Sequence, residues 1–138
     1  MNPQKFKVLL VDDEPDILEM LSYNLCKHGF TVVTASDGKA GFESAAAHQP
    51  DIIVTDILMP GWTGVKMCTE LKENAGLRGI PVIFLSATPD EMVALYALES
   101  GGERFLSKPI RIDLLIRNVV DVLQKRLSKI SKLQLFVS

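Results

Sequence analysis

The chain has 138 residues, of which 47% are hydrophobic and 23% charged, and its formal net charge is -2. This length fits a single domain, and the small net charge excludes a general electrostatic attraction to nucleic acid or to an anionic membrane. No apolar run approaches the roughly 18 residues of a membrane span, and residues 1–5 lack an apolar signal core. We therefore expect a cytoplasmic protein without a membrane span.

The first half of the chain alternates between apolar strand patterns and helical patterns. Pro15 suits the first turn of a helix, and Gly29 suits its end. The run from Asp51 is almost wholly apolar, which is typical of a strand covered on both faces. In chain order we predict a strand at Phe6–Val11, a helix from Pro15 that stops at Gly29, a strand at Phe30–Ala35, a helix at Lys39–His48 and a strand at Asp51–Thr55.

The second half continues the alternation after a loop, Ile57–Gly64, that Pro60-Gly61 punctuates strongly. Gly101-Gly102 breaks the chain before a short strand, and the last helix carries one apolar stripe. The predicted elements are a helix from about Val65 to Glu73, a strand at Ile80–Leu85, a helix at Pro89–Ser100, a strand at Arg104–Ser107 and a helix from near Arg111.

Five such strand–helix units predict an α/β fold, a doubly wound parallel sheet of five strands with helices on both faces. We expect the strand order 2-1-3-4-5, which is one of the two common solutions for this architecture. That order places the first and third strands side by side at the switch point, where ligands bind in such sheets.

Polar side chains stand where the predicted strands end. Asp12 and Asp13 follow the first strand, Asp56 follows the third, Ser86 follows the fourth, and Lys108 lies just past the fifth. Ligands of open parallel sheets bind outside the carboxyl ends of the strands, so we expect these groups to share one crevice. Three neighbouring carboxylates repel one another and favour a bound divalent cation, which indicates Mg²⁺.

These residue types are chemically sufficient for phosphoryl transfer, which depends mainly on positioning and electrostatics. The Asp56 carboxylate is a candidate nucleophile that forms an aspartyl phosphate. Lys108 offers a positive charge for a phosphoryl oxygen, and Ser86 offers a hydroxyl. The candidate metal ligands are carboxylates and one backbone carbonyl, namely Asp12, Asp13, Asp56 and the carbonyl of Leu58.

Four motifs in this order resemble the receiver domain of bacterial-type two-component response regulators. They are Val11-Asp12-Asp13-Glu14, Asp56-Ile57-Leu58-Met59-Pro60-Gly61 with Gly64, Leu85-Ser86-Ala87, and Ser107-Lys108-Pro109. The resemblance covers Lys7 to about Leu127, and it implies a flavodoxin-like fold. We assign residues 1–127 to the receiver and residues 128–138 to an extension of the last helix or a linker.

The resemblance implies a signalling role rather than an enzymatic one. Asp56 would accept a phosphoryl group from a histidine of a sensor kinase or phosphotransfer protein, with Mg²⁺ held by Asp12 and Asp13. Lys108 would contact the phosphoryl group, and Ser86 and Phe105 would act as switch residues. A downstream protein or output domain would bind the face of the fourth helix, fifth strand and fifth helix. The peptide bond before Pro109 would be cis.

Leu58 and the residues at the end of the last helix support further predictions. The apolar Leu58 side chain cannot orient an attacking water, so slow self-dephosphorylation is expected. Four residues recur at helical spacing, namely Leu123, Leu127, Ile130 and Leu133. This spacing favours a longer helix that forms a homodimer seam or leads into an output domain, or alternatively the tail is a frayed end. No element resembles a recognition helix with a basic face, so direct binding of nucleic acid by this chain is not expected.

Two other functions remain open. In a phosphatase of the aspartyl-nucleophile type, Asp12 would be the nucleophile and Glu14 the second acid, but the usual cap insertion is absent. In a vestigial receiver scaffold the site would have lost its chemistry, although every chemical position is filled here. Turnover of small phosphate esters that depends on Asp12 would favour the phosphatase.

Overall fold

The computed structural model describes residues 2–88 and 90–137, which fold into alternating strands and helices after a short 3-10 turn. Strands β1 to β5 are Lys7–Val11, Thr31–Ala35, Ile52–Asp56, Val82–Ser86 and Arg104–Ser107. Helices α1 to α5 are Pro15–Lys27, Gly38–His48, Gly64–Glu73, Glu91–Glu99 and Ile112–Val137. Within the described ranges, no helix has both the length and the apolar character needed to cross a bilayer.

The five strands form one parallel sheet in the order β2-β1-β3-β4-β5, as the sequence predicts. β1 lies between β2 and β3, with Val8 opposite Ile52 and Val11 opposite Thr55. The carboxyl ends of β1 and β3 therefore meet at the centre of the sheet edge. This is the switch point at which the loops after the strands diverge.

Helices cover both faces of the sheet, and each face has its own apolar core. On one face, Leu9 and Val11 of β1 pack with α2, α3 and α4. On the other face, Val8 and Leu10 pack with α1 and α5. Side chains of a strand alternate between faces, so the uninterrupted apolar sequence of β1 fills both cores.

Several strand boundaries differ from the prediction by one or two residues. β3 ends on Asp56 and β4 ends on Ser86, so both polar residues belong to the strands that they were expected to follow. Their place in the ladder explains this, because Asp56 lies opposite Leu85 and Ser86 lies opposite Ser107. β4 begins after Pro81, which lacks the N–H that a central strand needs.

Other ends differ because turns use the backbone N–H groups. Phe6 N donates to Pro3 O at 2.9 Å and Phe30 N to Leu25 O at 3.1 Å, so neither phenylalanine opens its strand. The predicted start of the fourth helix at Pro89 lies outside the described residues, and α4 runs from Glu91. α5 continues to Val137, so residues 128–137 extend the last helix.

Candidate functional site

Asp12 lies just beyond β1 and is almost fully buried. Its backbone N–H donates to Ala35 O at 3.2 Å, which continues the pairing of β1 with β2 by one residue. Its Oδ1 accepts a hydrogen bond from the Glu14 N–H at 2.9 Å. The backbone thus fixes one carboxylate oxygen, and Oδ2 accepts a hydrogen bond from Lys108 Nζ.

Asp56 closes β3, and its side chain is 8% exposed. Its Oδ1 accepts a hydrogen bond from the Ile57 N–H at 2.8 Å, which orients the carboxylate at the strand end. The second oxygen, Oδ2, lies 3.3 Å from Lys108 Nζ. One oxygen is therefore held by the backbone, and the other faces the cation.

Lys108 follows β5 and reaches across β4 to the acids. Its Nζ donates to Asp12 Oδ2 at 2.9 Å and to Asp56 Oδ2 at 3.3 Å, and it lies 3.6 Å from Glu14 Oε1. The Lys108 N–H donates to the Ser86 carbonyl at 2.8 Å, and the Lys108–Pro109 peptide bond is cis. The structure brings Asp12, Asp56 and Lys108 into direct contact.

The acids form one cluster. Ligand oxygens of Asp12, Asp13, Glu14 and Asp56 all lie within 4.8 Å of one another. The sequence predicts Asp12, Asp13 and Asp56 as ligands but not Glu14, although Glu14 directly follows Asp13 in the same motif. Lys108 Nζ contacts three of these four carboxylates, so the cluster keeps an excess of negative charge.

The remaining predicted residues lie around this cluster without touching its carboxylates in the described contacts. The Ser86 hydroxyl is buried at the end of β4 and accepts a hydrogen bond from the Thr88 N–H at 3.2 Å. Leu58 lies in the loop after β3 with its side chain 62% exposed. Phe105 is half-buried in β5 and packs against the core that α3 and α4 cover.

This sequence matches the family described as the response regulator receiver domain over residues 8–120. The chain belongs to the receiver domain family. The receiver fold is also found in solved structures that this chain resembles. One is the signal receiver domain of a signal transduction histidine kinase from Syntrophus aciditrophicus, with 31% identity, a TM-score of 0.81, and coverage of 87% of this chain and 91% of that one.

A second similar structure is the chemotaxis protein CheY4 of Vibrio cholerae, with 27% identity, a TM-score of 0.80, and coverage of 85% of this chain and 98% of that one. Among curated proteins, the receiver is 36% identical over 103 residues to the alkaline phosphatase synthesis transcriptional regulatory protein PhoP of Bacillus subtilis, with 75% of this chain covered. It is 38% identical over 109 residues to the transcriptional regulatory protein KdpE of Mycobacterium tuberculosis, with 77% covered. The matched region spans 42% and 46% of these two longer relatives.

The receiver site shifts the pKa values of its two central groups. Burial raises the pKa of the Asp56 carboxyl above its ordinary value of 3.8; the charge of Lys108 opposes this shift, and the charge of Asp12 adds to it. Burial alone would lower the pKa of Lys108, but its hydrogen bond to Asp12 and the charges of Asp56 and Asp12 outweigh it and raise that pKa. The ionised Asp56 is thus costly in the fold, whereas the charged Lys108 is favoured.

An Asp56→Asn variant should be more stable than the wild type in the absence of metal. A carboxyl whose pKa is raised in the folded state destabilises the fold when ionised, so we expect a gain of about 1 kcal/mol at pH 7, or several degrees in melting temperature. The gain should shrink as the pH falls through the raised pKa toward 3.8, because the wild-type carboxyl then becomes neutral.

Thermal unfolding in a chelator at several pH values measures this gain. Asp113→Asn makes the same chemical change at an exposed acid that pairs with Arg111 in the first turn of α5, so it should not raise the melting temperature. An Asp56→Asn protein that melts at or below the wild-type temperature at pH 7 would contradict the electrostatic account of the site.

Proposed function

We propose that this chain is a phosphorylation-dependent switch in which Asp56 accepts a phosphoryl group from a histidine of a sensor kinase or phosphotransfer protein. An Asp56 carboxylate oxygen would attack phosphorus while the phosphorus–nitrogen bond to the histidine breaks and the imidazole leaves with that electron pair. The product would be an acyl phosphate on Asp56. The single observation that carries this proposal is the Asp56 carboxylate, buried at a strand end and held between a backbone N–H and Lys108 Nζ.

The surrounding residues support this role through position and charge. Lys108 Nζ lies beside the reacting carboxylate, so its positive charge would stabilise the negative phosphoryl oxygens during transfer. The backbone bond from Lys108 to the Ser86 carbonyl fixes the start of the loop that carries the lysine. The Ser86 hydroxyl would donate to a phosphoryl oxygen once Asp56 is modified.

The acidic cluster fits a magnesium ion by the chemistry of its donors. All four ligand groups are carboxylates, the hard oxygen ligands that Mg²⁺ prefers, and they lie close enough to share one ion. We assign the ion to Asp12, Asp13 and Asp56, with the carbonyl of Leu58 as a further ligand. Bound there, Mg²⁺ would neutralise the charge repulsion between the carboxylate and the incoming phosphoryl group.

Magnesium should therefore stabilise the folded chain. At a concentration of about 100 times its Kd, an ion that binds only the folded state adds about 2.7 kcal/mol. We expect a rise in melting temperature with Mg²⁺ for the wild type and little rise for Asp12→Asn. Asp16→Asn, which removes an exposed acid in the first turn of α1, should respond like the wild type. Equal responses of all three proteins would refute the assignment of Asp12.

The switch would act through the surface formed by α4, β5 and α5. α4 exposes Met92, Leu95 and Tyr96, which are 69%, 49% and 64% accessible, so this helix presents apolar side chains to a partner. Phe105 lies in β5, the strand that leads into Lys108. A shift of Lys108 toward a phosphoryl group would therefore displace β5 and change the position of Phe105. We infer that a downstream protein or output domain binds differently to the surface altered in this way.

The contacts of α5 indicate where the receiver unit ends, and the environment of Leu58 bears on the lifetime of the phosphoryl group. Leu123 is the last residue in the core on the α1–α5 face, so we infer that the receiver unit ends near residue 127. Residues 128–137 continue α5 and expose Ile130 and Leu133. The exposed, apolar Leu58 lacks a group to orient water, which supports slow loss of the phosphoryl group from Asp56.

Incubation with acetyl phosphate and Mg²⁺, followed by intact-mass analysis, tests the proposed function. We expect the wild type and Asp113→Asn to gain one phosphoryl group and Asp56→Asn to gain none. Peptide mapping should place the group on Asp56. Modification of Asp56→Asn to the wild-type extent would show that another residue is the acceptor, and release of phosphate that depends on Asp12 alone would favour the phosphatase.

A further inference from the structure

A cavity of about 310 Å³ lies at the edge of the sheet opposite to the acidic cluster. It opens where β4 and β5 begin, and the second half of α5 forms one wall. Its volume is at the lower end of the range of about 300–1,000 Å³ that is typical of small-molecule sites. A cavity of this size suits a small molecule or ion.

Cations dominate the lining of this cavity, which we call the basic cavity. Four of its residues are cations, and Glu103 is the acid among the described lining residues; the cations are Arg104, Lys125, Arg126 and Lys129. Asp121 pairs with Arg104 and lies 3.4 Å from Lys125, so this one carboxylate offsets part of the charge of these two cations. Within residues 2–88 and 90–137, no carboxylate pairs with Arg126 or Lys129.

Arg126 is already positioned for an anion. Its Nη1 donates to the Asp51 carbonyl at 2.8 Å, which anchors the guanidinium to the start of β3. Its Nη2 lies over Gly79, where an added Cβ would be 3.9 Å away. An anchored guanidinium offers its remaining N–H groups to a phosphate without losing further freedom, and Lys129 adds a mobile ammonium beside it.

The charge of the surrounding chain favours the same class of ligand. No acidic side chain follows Asp121 in the sequence, although the chain as a whole has a net charge of -2. The basic cavity therefore lies in a locally positive region of an acidic protein. Small anions are attracted to such a concave basic surface more strongly than to an isolated lysine.

We propose that the basic cavity binds a small phosphate-bearing polyanion. Arg126 and Lys129 would contact the phosphate oxygens, and Arg104 would border the site from β5. β5 runs from Arg104 at this cavity to Ser107, which directly precedes Lys108 at the acidic cluster. The ligand would therefore touch the strand that also positions the lysine of the acceptor site. This binding does not depend on phosphorylation of Asp56.

Isothermal titration calorimetry of the full chain with pyrophosphate and with ADP tests the proposal. The titrations contain a chelator, and sodium chloride keeps the ionic strength equal between them. We expect both to bind, and Lys129→Gln and Arg126→Gln each to weaken binding at least tenfold, which corresponds to about 1.4 kcal/mol for the lost contact with a charged group. Lys132→Gln removes a nearby lysine that does not line the cavity and should bind like the wild type.

The outcomes distinguish binding at defined residues of the basic cavity from nonspecific attraction to the positive surface around it. Lys129 is exposed, so Lys129→Gln should fold normally and should still accept a phosphoryl group at Asp56 from acetyl phosphate. Equal binding of pyrophosphate and ADP indicates that phosphate alone is recognised, and tighter binding of ADP indicates a nucleotide. Heat signals no larger than those of sodium chloride, or equal weakening by Lys129→Gln and Lys132→Gln, would overturn the proposal.

Discussion

A Lys108→Met variant should accept phosphoryl groups at Asp56 about 100 times more slowly than the wild type, because it lacks the positive charge beside the reacting carboxylate. Its metal-free form should also lose about 3 kcal/mol of unfolding free energy, because removal of one partner leaves buried charges unpaired. Lys108 Nζ contacts three carboxylates, and the side chains of Asp12 and Asp56 are only 2% and 8% exposed.

The pH dependence of this loss is set by the same ion pairs. The pKa of Lys108 is raised above 10.5, so its stabilising contribution is present below that value and is lost as the pH rises through the shifted pKa. At low pH the acids of the variant become neutral, and the difference in stability from the wild type should narrow. Addition of Mg²⁺ at pH 7 should restore part of the lost stability.

Lys66→Met provides a matched control for the loss of a lysine in an ion pair. Lys66 Nζ lies 2.7 Å from Glu70 Oε1, and the two side chains are 50% and 30% accessible to water, so the loss should stay below about 1 kcal/mol. Urea unfolding in chelator gives both free energies. The double variant Asp56→Asn/Lys108→Met should lose less than Lys108→Met alone, since one unpaired carboxylate is gone. A Lys108→Met protein as stable as Lys66→Met would refute this role of the ammonium.

The fold was predictable because each strand carries a local signal. Uninterrupted apolar runs such as Ile52-Ile53-Val54 require burial on both faces, and a parallel sheet with helices on both sides provides it. Right-handed connections then leave few strand orders, and 2-1-3-4-5 is one of the two common ones. The site was predictable for a related reason, because residues that end adjacent parallel strands must meet at one edge.

Contacts made by the backbone were harder to predict. The sequence does not show that Asp56 and Ser86 still belong to the ladder, because the register between strands decides this. The hydrogen bond from the Lys108 N–H to the Ser86 carbonyl cannot be predicted either, because every residue type has a backbone carbonyl. The exposed Glu14 belongs to the cluster and lies 3.6 Å from Lys108 Nζ. Spacing along the chain does not predict this contact.

The basic cavity shows a second limit of sequence reasoning. Gly79 and Glu103 come from separate loops, while Lys125, Arg126 and Lys129 lie on α5. On the helix alone these cations are typical of a solvated surface. Only the arrangement of the loops against α5 makes them the wall of a cavity, and the anchoring of Arg126 by the Asp51 carbonyl depends on tertiary contact.

A Gly64→Ala variant should lose about 2–3 kcal/mol of stability, and phosphoryl transfer to Asp56 should slow by about 100-fold. Gly64 opens α3 directly behind the acceptor, and an added Cβ would lie 2.1 Å from the backbone oxygen of Asp56 and 3.2 Å from Ile57 Cα. Both atoms belong to the backbone, so the overlap cannot be relieved by turning a side chain. The end of β3 or the start of α3 must move, and Asp56 is the last residue of β3.

Gly76→Ala makes the same change where the nearest atom, Asn74 Oδ1, would be 3.5 Å from the new Cβ, and it should be close to neutral. Urea unfolding and the rate of mass gain with acetyl phosphate measure the two effects. The Gly64 N–H donates to the Ile57 carbonyl at 2.9 Å, so this bond ties α3 to the residue that orients Asp56 Oδ1. A variant that is destabilised but phosphorylated at the wild-type rate would show that α3 supports the fold without positioning the acceptor.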